Sequence, residues 1–384
     1  MIKQYYKQAL AQLRQHPLIS IIGIVGTALS IFLIMLVVMM QQVKVAPFSP
    51  ESNRNRFLHV HYMSISHKDW GNGTSNGPMS VQTAREVYKS LKTPEAVTVY
   101  CCMTVSTPVS LPGAPAIGAD VRETDDTFFH VFDFQFTDGK PYDEATFTAG
   151  RPVAVITESI SRALFGSIQS VGKEFLLSHA PYRVVGVVKD VSTLADMAYG
   201  QVWIPFTSTN LSNDTWSDNH MGMMSVTLLA HDREDFDEIR AEAKRRMNEY
   251  NSILADQGYT LIDRNRPYDQ ETQSISFAAN LEPDLKAARR ERVIIFIILL
   301  LVPAINLSSM TQSRLRQRVA EIGVRRAFGS TRIEMVGQIV MENLVITLLA
   351  GAIGLLISIL FAYWGTDILF AQPYSVTQIG RAHV

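Results

Sequence analysis

The chain contains little charge for its length. Only 18% of its 384 residues are charged, and the formal net charge is −1. A nucleic-acid-binding protein normally carries a basic surplus, so this balance argues against that class. A charged fraction this low is also unusual for a soluble protein. The missing charge coincides with three long apolar runs.

Cysteine is almost absent. The two cysteines, Cys101 and Cys102, are adjacent in a strand-like run, so no disulfide framework follows from them. A disulfide between neighbouring residues would be strained. We therefore expect two ordinary core thiols.

The sequence also lacks a recognisable catalytic motif. The segment 166–174 superficially resembles a phosphate-binding loop, but its glycines are one residue too far apart and Glu174 replaces the magnesium-binding hydroxyl. His59 and His61 would share one face of a strand and could start a zinc site, but no third ligand supports it. We expect core or solvated histidines, no cofactor, no metal and no catalytic residue.

Three apolar runs are long enough to cross a bilayer, which takes about 20 helical residues. The first is free of charge and exceeds the apolar core of about 7–15 residues found in a signal peptide. We interpret it as an uncleaved membrane helix that follows a cytoplasmic N-terminal segment, 1–17. The predicted spans are 18–40, 291–310 and 343–364.

A basic segment, 311–342, lies between the second and third runs. It carries six arginines, Arg314, Arg316, Arg318, Arg325, Arg326 and Arg332. The positive-inside rule places such a short loop in the cytoplasm. The region 41–290 then lies outside the inner membrane, despite basic residues near its end, because long domains are translocated largely regardless of charge.

The outer region has the pattern of an α+β fold. Phe57–Met63 alternates as a strand, Ser80 can cap a helix over Val81–Leu91, and a second strand–helix–strand pattern centres on Phe236–Tyr250. We predict α-helical transmembrane segments plus an α+β extracytoplasmic domain, in which two βαβ units (50–117 and 223–270) bracket a β-rich insertion, 118–222. Within the insertion, Val131–Phe136 is predicted as a strand and Glu158–Phe165 as a helix.

Two motifs carry a family resemblance. The pattern is Asn306, then Arg318-Val-Ala-Glu321-Ile-Gly323-Val-Arg325-Arg326-Ala-Phe-Gly329-Ser, then Glu342 and Gly351-x-x-Gly354. It resembles the FtsX-like permease domain of the type VII ABC superfamily. The series from Asp125-x-x-Phe128-Phe129 to Tyr182…Asp190 resembles the periplasmic core domain of MacB-type permeases. Together the resemblance covers nearly the whole chain.

The resemblance implies a non-catalytic permease subunit in the bacterial inner membrane, with several spans and a large periplasmic domain. A separate cytoplasmic ABC ATPase would hold the 311–342 loop, and its motion would pass to the outer domain, a process called mechanotransmission. The expected ATPase-coupling residues are Arg318, Glu321, Gly323, Arg325, Arg326 and Gly329. A second permease copy or a paralogue would complete a dimer, and the family admits a periplasmic adaptor. Drug, peptide and lipoprotein substrates, and cell-wall-hydrolase regulation, all stay open.

Small and polar residues in the spans are candidates for helix packing. Gly26 and Ser30 form a small-xxx-small pair, and Gly351 and Gly354 recur in the third span. Small residues are also simply common in membrane helices. Asn306 is either a buried amide that needs a partner helix or a helix end at the headgroups.

Two further expectations concern the whole chain. The resembling permeases have four spans, whereas 365–384 contains no further apolar run, so we expect a truncated tail that lacks the last membrane helix.

The competing function is a membrane-anchored binding, sensory or hydrolase-regulating protein without transport. The elaborate basic loop, which an anchor does not need, argues against it.

Overall fold

The computed structural model describes residues 17–317 and 319–364, which fall into two units. Of the described residues, 17–42 and 286–364 form one unit, and Val43–Leu285 forms the other. The helices are α1 (Pro17–Val45), α2 (Val81–Thr83, continued by a π-helical segment, Ala84–Lys89), α3 (Phe128–Val131), α4 (Glu144–Thr148), α5 (Glu158–Phe165), α6 (Phe236–Leu254), α7 (Gln270–Gln273), α8 (Leu285–Gln317), α9 (Val319–Ala327) and α10 (Arg332–Trp364).

The strands all belong to the second unit. They are β1 (Phe57–Val60), β2 (Met63–His67), β3 (Thr74–Gly77), β4 (Ala96–Cys101), β5 (Val105–Ser110), β6 (Ile117–Thr124), β7 (Phe136–Gly139), β8 (Val153–Thr157), β9 (Glu174–Leu177), β10 (Ala180–Val188), β11 (Val202–Pro205), β12 (Met224–Leu229), β13 (Tyr259–Ile262) and β14 (Tyr268–Asp269).

Three helices are long and apolar enough to cross a membrane. Their candidate spans are Ile21–Val45 in α1, Leu285–Ser313 in α8 and Arg332–Ala362 in α10. Each is longer than the sequence predicted because the polar residues that flank the apolar run continue the same helix. The predicted tail, 365–384, and the first 16 residues lie outside the described part of the chain.

Eleven strands form one sheet in the order β11-β8-β10-β9-β5-β6-β4-β12-β1-β14, with β7 added beside β10. Strand β11 also pairs with β6, in parallel, through Val202↔Val121 and Ile204↔Glu123. This pairing closes six strands, β5, β6, β11, β8, β10 and β9, into a barrel. Its interior is apolar and includes Val109, Ala119, Ile156, Phe175, Val184 and Val202.

The other strands form the α+β part. β12 pairs antiparallel with both β1 and β4, while β13 joins β2 and β3 in a separate three-stranded sheet. Helices α2 and α6 share one apolar core with these strands, including Val87, Tyr88, Ile239 and Met247. Both predicted strand–helix–strand patterns are present, since α2 lies between β3 and β4 and α6 lies between β12 and β13. In the sheets, β12 separates β1 from β4, and α6 links strands of two different sheets.

Several local predictions are confirmed. Ser80 caps α2 because its hydroxyl accepts a hydrogen bond from the Thr83 amide at 3.1 Å. Helix α5 covers Glu158–Phe165, as predicted. Cys101 and Cys102 are free thiols, but only Cys101 is buried and Cys102 is partly exposed, so the prediction of a core thiol is confirmed for Cys101 alone.

Other local predictions are wrong. Val131–Phe136 is not a strand, because Phe128 and Val131 bury their side chains from the helical turn α3 beside Phe132 and Phe134. Tertiary packing overrides strand propensity here. The predicted strand 57–63 is broken between β1 and β2, so His61 lies outside both strands. Strand β5, which we expected in the α+β subdomain, pairs with β6 and β9 of the barrel.

Candidate functional site

The candidate coupling site is the polar segment between the second and third membrane helices. Helix α9 ends as the Phe328 amide donates to the Val324 carbonyl and the Gly329 amide to the Arg326 carbonyl, each at 3.1 Å. Gly329 has φ +95°, a left-handed conformation that favours glycine. Gly329 therefore ends helix α9.

The next helix starts with a reciprocal cap. The Thr331 hydroxyl accepts from the Glu334 amide at 3.3 Å, and the Glu334 carboxylate accepts from the Thr331 amide at 3.0 Å. This capping box satisfies two amides that would otherwise lack partners. It fixes the start of α10 at Arg332, well before the apolar run begins.

Helix α9 contains four of the six predicted coupling residues, namely Glu321, Gly323, Arg325 and Arg326. Arg326 is exposed, and a Cβ added at Gly323 would meet nothing within 4 Å. Arg318 lies outside the described residues. The coupling role of these residues stays a prediction.

Sequence reasoning passed over the apolar side chains of the same segment. Phe328 is 87% exposed and Ile333 is 84% exposed. Large apolar side chains this exposed are typical of an interaction surface when they cluster. The signal that could have identified Phe328 is its position at a glycine turn inside a strongly basic segment.

Two predicted packing glycines, Gly26 and Gly354, lie at close contacts between membrane helices. A Cβ added at Gly26 would lie 2.3 Å from Asn306 Nδ2, and one at Gly354 would lie 2.7 Å from the Ala28 carbonyl oxygen. A Cβ at Gly351 would lie 3.7 Å from Ile31, an ordinary contact. The structure thus brings Gly26 to Asn306 and Gly354 to α1.

Ser30 bonds within its own helix, because its hydroxyl donates to the Gly26 carbonyl at 2.8 Å. A polar contact links the other two helices: the Thr311 hydroxyl donates to Asn343 Oδ1 at 3.1 Å. Gln338 donates to the carboxylate of Glu342 at 2.9 Å, and both side chains are buried. Buried polar groups in membrane helices are costly unless paired. Of these contacts, the one between Thr311 and Asn343 joins two helices and favours their observed pairing.

An extracytoplasmic arginine holds the outer end of α1. Arg54 Nη1 donates to the carbonyls of Val43 and Ala46 at 2.7 and 3.0 Å, and Nη2 donates to the Leu194 carbonyl at 2.8 Å. Its Nε pairs with the buried Glu51 carboxylate at 2.7 Å. Burial raises the pKa of Glu51, and the Arg54 guanidinium partly offsets that shift. Sequence reasoning missed this group because nothing local distinguishes Arg54 from Arg56.

His59 is a core residue. Its Nδ1 lies 3.1 Å from Thr227 Oγ1 and its Nε2 lies 2.9 Å from Gln270 Oε1. Burial lowers the pKa of His59 to about 4. Both ring nitrogens are used in hydrogen bonds within the fold, which leaves neither for a metal.

Two family models match the chain. The MacB-like periplasmic core domain matches residues 18–246. The FtsX-like permease C-terminal domain matches residues 293–378.

Curated relatives show the same similarity. The uncharacterized ABC transporter permease YknZ of Bacillus subtilis (strain 168) is 22% identical over 244 residues, which are 62% of this chain and 55% of the relative. The macrolide export ATP-binding/permease protein MacB of Escherichia coli (strain K12) is 22% identical over 252 residues, which are 64% of this chain and 36% of the relative. The chain thus spans about half the length of the first and about a third of the second.

Among solved structures, the periplasmic region of MacB from Actinobacillus actinomycetemcomitans matches with a TM-score of 0.36 and 19% identity. The match covers 53% of this chain and 88% of that chain.

Proposed function

The chain belongs to the MacB-type, FtsX-like family of ABC transporter permeases, and from that membership we propose that it couples a separate cytoplasmic ATPase to movement of its extracytoplasmic domain. The subunit itself is non-catalytic in this proposal. The coupled movement exports or extracts a substrate. The 384 residues contain no phosphate-binding loop, so in this proposal the ATP site lies outside them.

The observation that carries the proposal is the continuity of α10. This helix has 33 residues, or about 50 Å at 1.5 Å per residue. The hydrocarbon core of a bilayer is about 30 Å thick. The polar first part of α10 therefore extends beyond the core as the same rigid rod, and a force applied near Arg332 is transmitted to the membrane-spanning part.

The contact surface on the cytoplasmic side combines charge with apolar anchors. Arg326 and Arg332 are exposed, as are Phe328 and Ile333. Buried aromatic side chains usually dominate the binding energy of an interface, whereas charges at its rim mainly affect the rate of association. We propose that Phe328 is the anchor and that Glu321, Arg325 and Arg326 provide polar contacts around it.

In the proposed path, motion passes from α10 to α1 and then to the extracytoplasmic domain. Gly354 of α10 lies against the Ala28 carbonyl of α1, so tilting one helix displaces the other. Helix α1 continues without a break to Val45, and Arg54 holds its last turn. Motion of α10 would in this way reach the extracytoplasmic domain through the main chain of α1.

The proposed location and partner subunits rest on membership of the same family. We propose a multi-pass protein of the bacterial inner membrane that pairs with a second permease, either a copy or a paralogue. A periplasmic adaptor is a further proposed partner for an exporter.

The proposal is tested by purification from native membranes. Replacing Glu321, Arg325 and Arg326 by alanine should reduce the amount of ATPase recovered with the full chain. The matched control replaces Arg85 and Arg162, which are exposed arginines of the extracytoplasmic unit. If the wild-type chain recovers no ABC ATPase, the protein is instead a membrane-anchored binding or regulatory protein without transport. Equal recovery by the triple variant and the wild type would remove these three residues from the interface.

A further inference from the structure

One end of the barrel opens into a cavity of about 360 Å³. Most of its lining is apolar and includes Met103, Val105, Leu177, Ile204 and Leu211, and the carboxylate in the lining is that of Glu123. Ligand pockets of proteins start at roughly 300 Å³, so this one suits a small molecule. Barrel mouths are among the places where such pockets occur most often.

Glu123 points into this cavity from the barrel wall. Side chains alternate along β6, so Ala119, Val121 and Glu123 share a face, and the first two belong to the apolar interior. Across the parallel pairing with β11, Glu123 lies beside Ile204, whose side chain is also interior. The Glu123 carboxylate thus lies at the end of an inward-facing row of β6 side chains that is otherwise apolar.

Few groups of the protein stabilise the charged form of the Glu123 carboxylate. The Thr209 hydroxyl donates to Glu123 Oε2. Within residues 17–317 and 319–364, no ion pair of Glu123 with a lysine, arginine or histidine is found. Desolvation by the apolar walls raises the pKa of Glu123 to about 7. A partly buried carboxylate without a cation is costly to keep charged, and a bound cation would offset that cost.

The rim of the cavity is apolar and open to solvent. Met103 is 51% exposed and Val105 is 54% exposed, although Val105 shares the inward face of β5 with the buried Val109. An occupant that covered these side chains would remove apolar surface from water, which is favourable. The cavity therefore offers an apolar wall and one anionic group.

We propose that the barrel mouth binds a small amphipathic amine, with its ammonium group at Glu123 and its apolar body against Met103, Val105 and Leu177. The charge of the carboxylate selects a cation, and the size of the cavity limits the ligand to a small one. This site goes beyond the coupling proposed above, because binding needs neither the ATPase nor the cytoplasmic helices.

The test uses the full chain in lipid nanodiscs and three probes of similar size that carry a positive, a neutral and a negative end group: 4-phenylbutylamine, 4-phenylbutanol and 4-phenylbutyrate. Calorimetric titration at pH 8, with empty nanodiscs subtracted, measures binding of each probe. We expect the amine to bind and to lose about tenfold in affinity in Glu123→Gln, an isosteric change that preserves the acceptor for Thr209. The matched control, Glu238→Gln, alters an exposed carboxylate on α6 and should change nothing.

A second variant separates charge from folding. Met103→Lys places an ammonium group on the exposed rim, where it should compete with the amine and abolish its binding while the chain stays folded. Equal affinity for the amine and the alcohol, or an unchanged amine affinity in Glu123→Gln, would overturn the proposal. No binding of the amine to the wild-type chain would overturn it as well. None of these results depends on whether an ATPase is recovered with the chain.

Discussion

Arg54 donates from Nη1 to the main-chain carbonyl of Val43 at 2.7 Å, so a buried side chain holds the last turn of a membrane helix. The same guanidinium is paired with Glu51, whose other carboxylate oxygen accepts from the amides of Met197 and Ala198 at 2.9 and 3.0 Å. The pair thereby joins the end of α1 to a loop that follows β10. Both side chains are almost fully buried, at 2% and 1% exposure.

The first prediction concerns this pair. Arg54→Ala leaves the Glu51 carboxylate buried without its cation, which should destabilise the extracytoplasmic unit by about 3–5 kcal/mol. Urea unfolding of the full chain, followed by tryptophan fluorescence to which the buried Trp203 contributes, measures the change. Arg85→Ala removes an exposed ion pair with Glu86 and should cost less than about 1 kcal/mol. Equal effects of the two substitutions would contradict the assigned role of Arg54.

The second prediction compares two glycines of α10. A Cβ at Gly354 would lie 2.7 Å from the Ala28 main-chain oxygen, which cannot move aside as a flexible side chain can, whereas one at Gly337 would meet nothing within 4 Å. Gly354→Ala should therefore cost about 1–3 kcal/mol through overpacking. Gly337→Ala should be neutral or stabilise by up to about 1 kcal/mol, because alanine favours helix. Thermal unfolding in detergent distinguishes the two, and a stabilised Gly354→Ala would rule out the close contact.

The third prediction concerns the proposed anchor of the ATPase contact. Phe328→Ala should weaken ATPase binding by about tenfold or more, because truncating an aromatic anchor costs more than about 1 kcal/mol. Phe277→Ala is the matched control, since Phe277 is 83% exposed but lies in the extracytoplasmic unit, against 87% for Phe328. ATPase recovered per mole of permease is the measurement. A similar loss in both variants would point to a general effect of removing an exposed phenyl ring.

The fourth prediction is a pH dependence of stability caused by His59. Its folded-state pKa of about 4 lies below the ordinary 6.5, so the unfolded chain takes up the proton first. The stabilisation is present above pH 6.5 and is lost as pH falls towards 4, by about 3 kcal/mol in total. His59→Gln lacks this titration. The stability of the wild type relative to this variant should therefore decrease over that interval, and parallel stability curves would contradict the assignment.

Much of the fold could be predicted because its signals are local. The charge-free run that begins at Leu18 and the cap at Ser80 are recognisable over a few residues. Helix α5 has the same kind of signal in its apolar spacing and terminal glycine. Such patterns reflect backbone and solvation physics that act within one element.

The rest depends on contacts between distant residues. Closure of the barrel requires β11 to pair with β6, and no short pattern reports that pairing. The register decides that Glu123 faces inward, and Arg54 acquires its role only when Leu194 comes near it. The helix contact between Gly26 and Asn306 likewise joins residues far apart in sequence, although each had been singled out alone.

Closure of the barrel also affects how other proteins could meet this part of the molecule. Each of its six strands has a neighbour on both sides, so its backbone donors and acceptors are already paired within the wall. Among the six barrel strands, an incoming peptide would find no open edge to extend, although β7, which pairs with β10 alone, keeps one edge free. Recognition at the barrel must therefore rely on side chains and on the open end, and fusion of two barrels edge to edge is disfavoured.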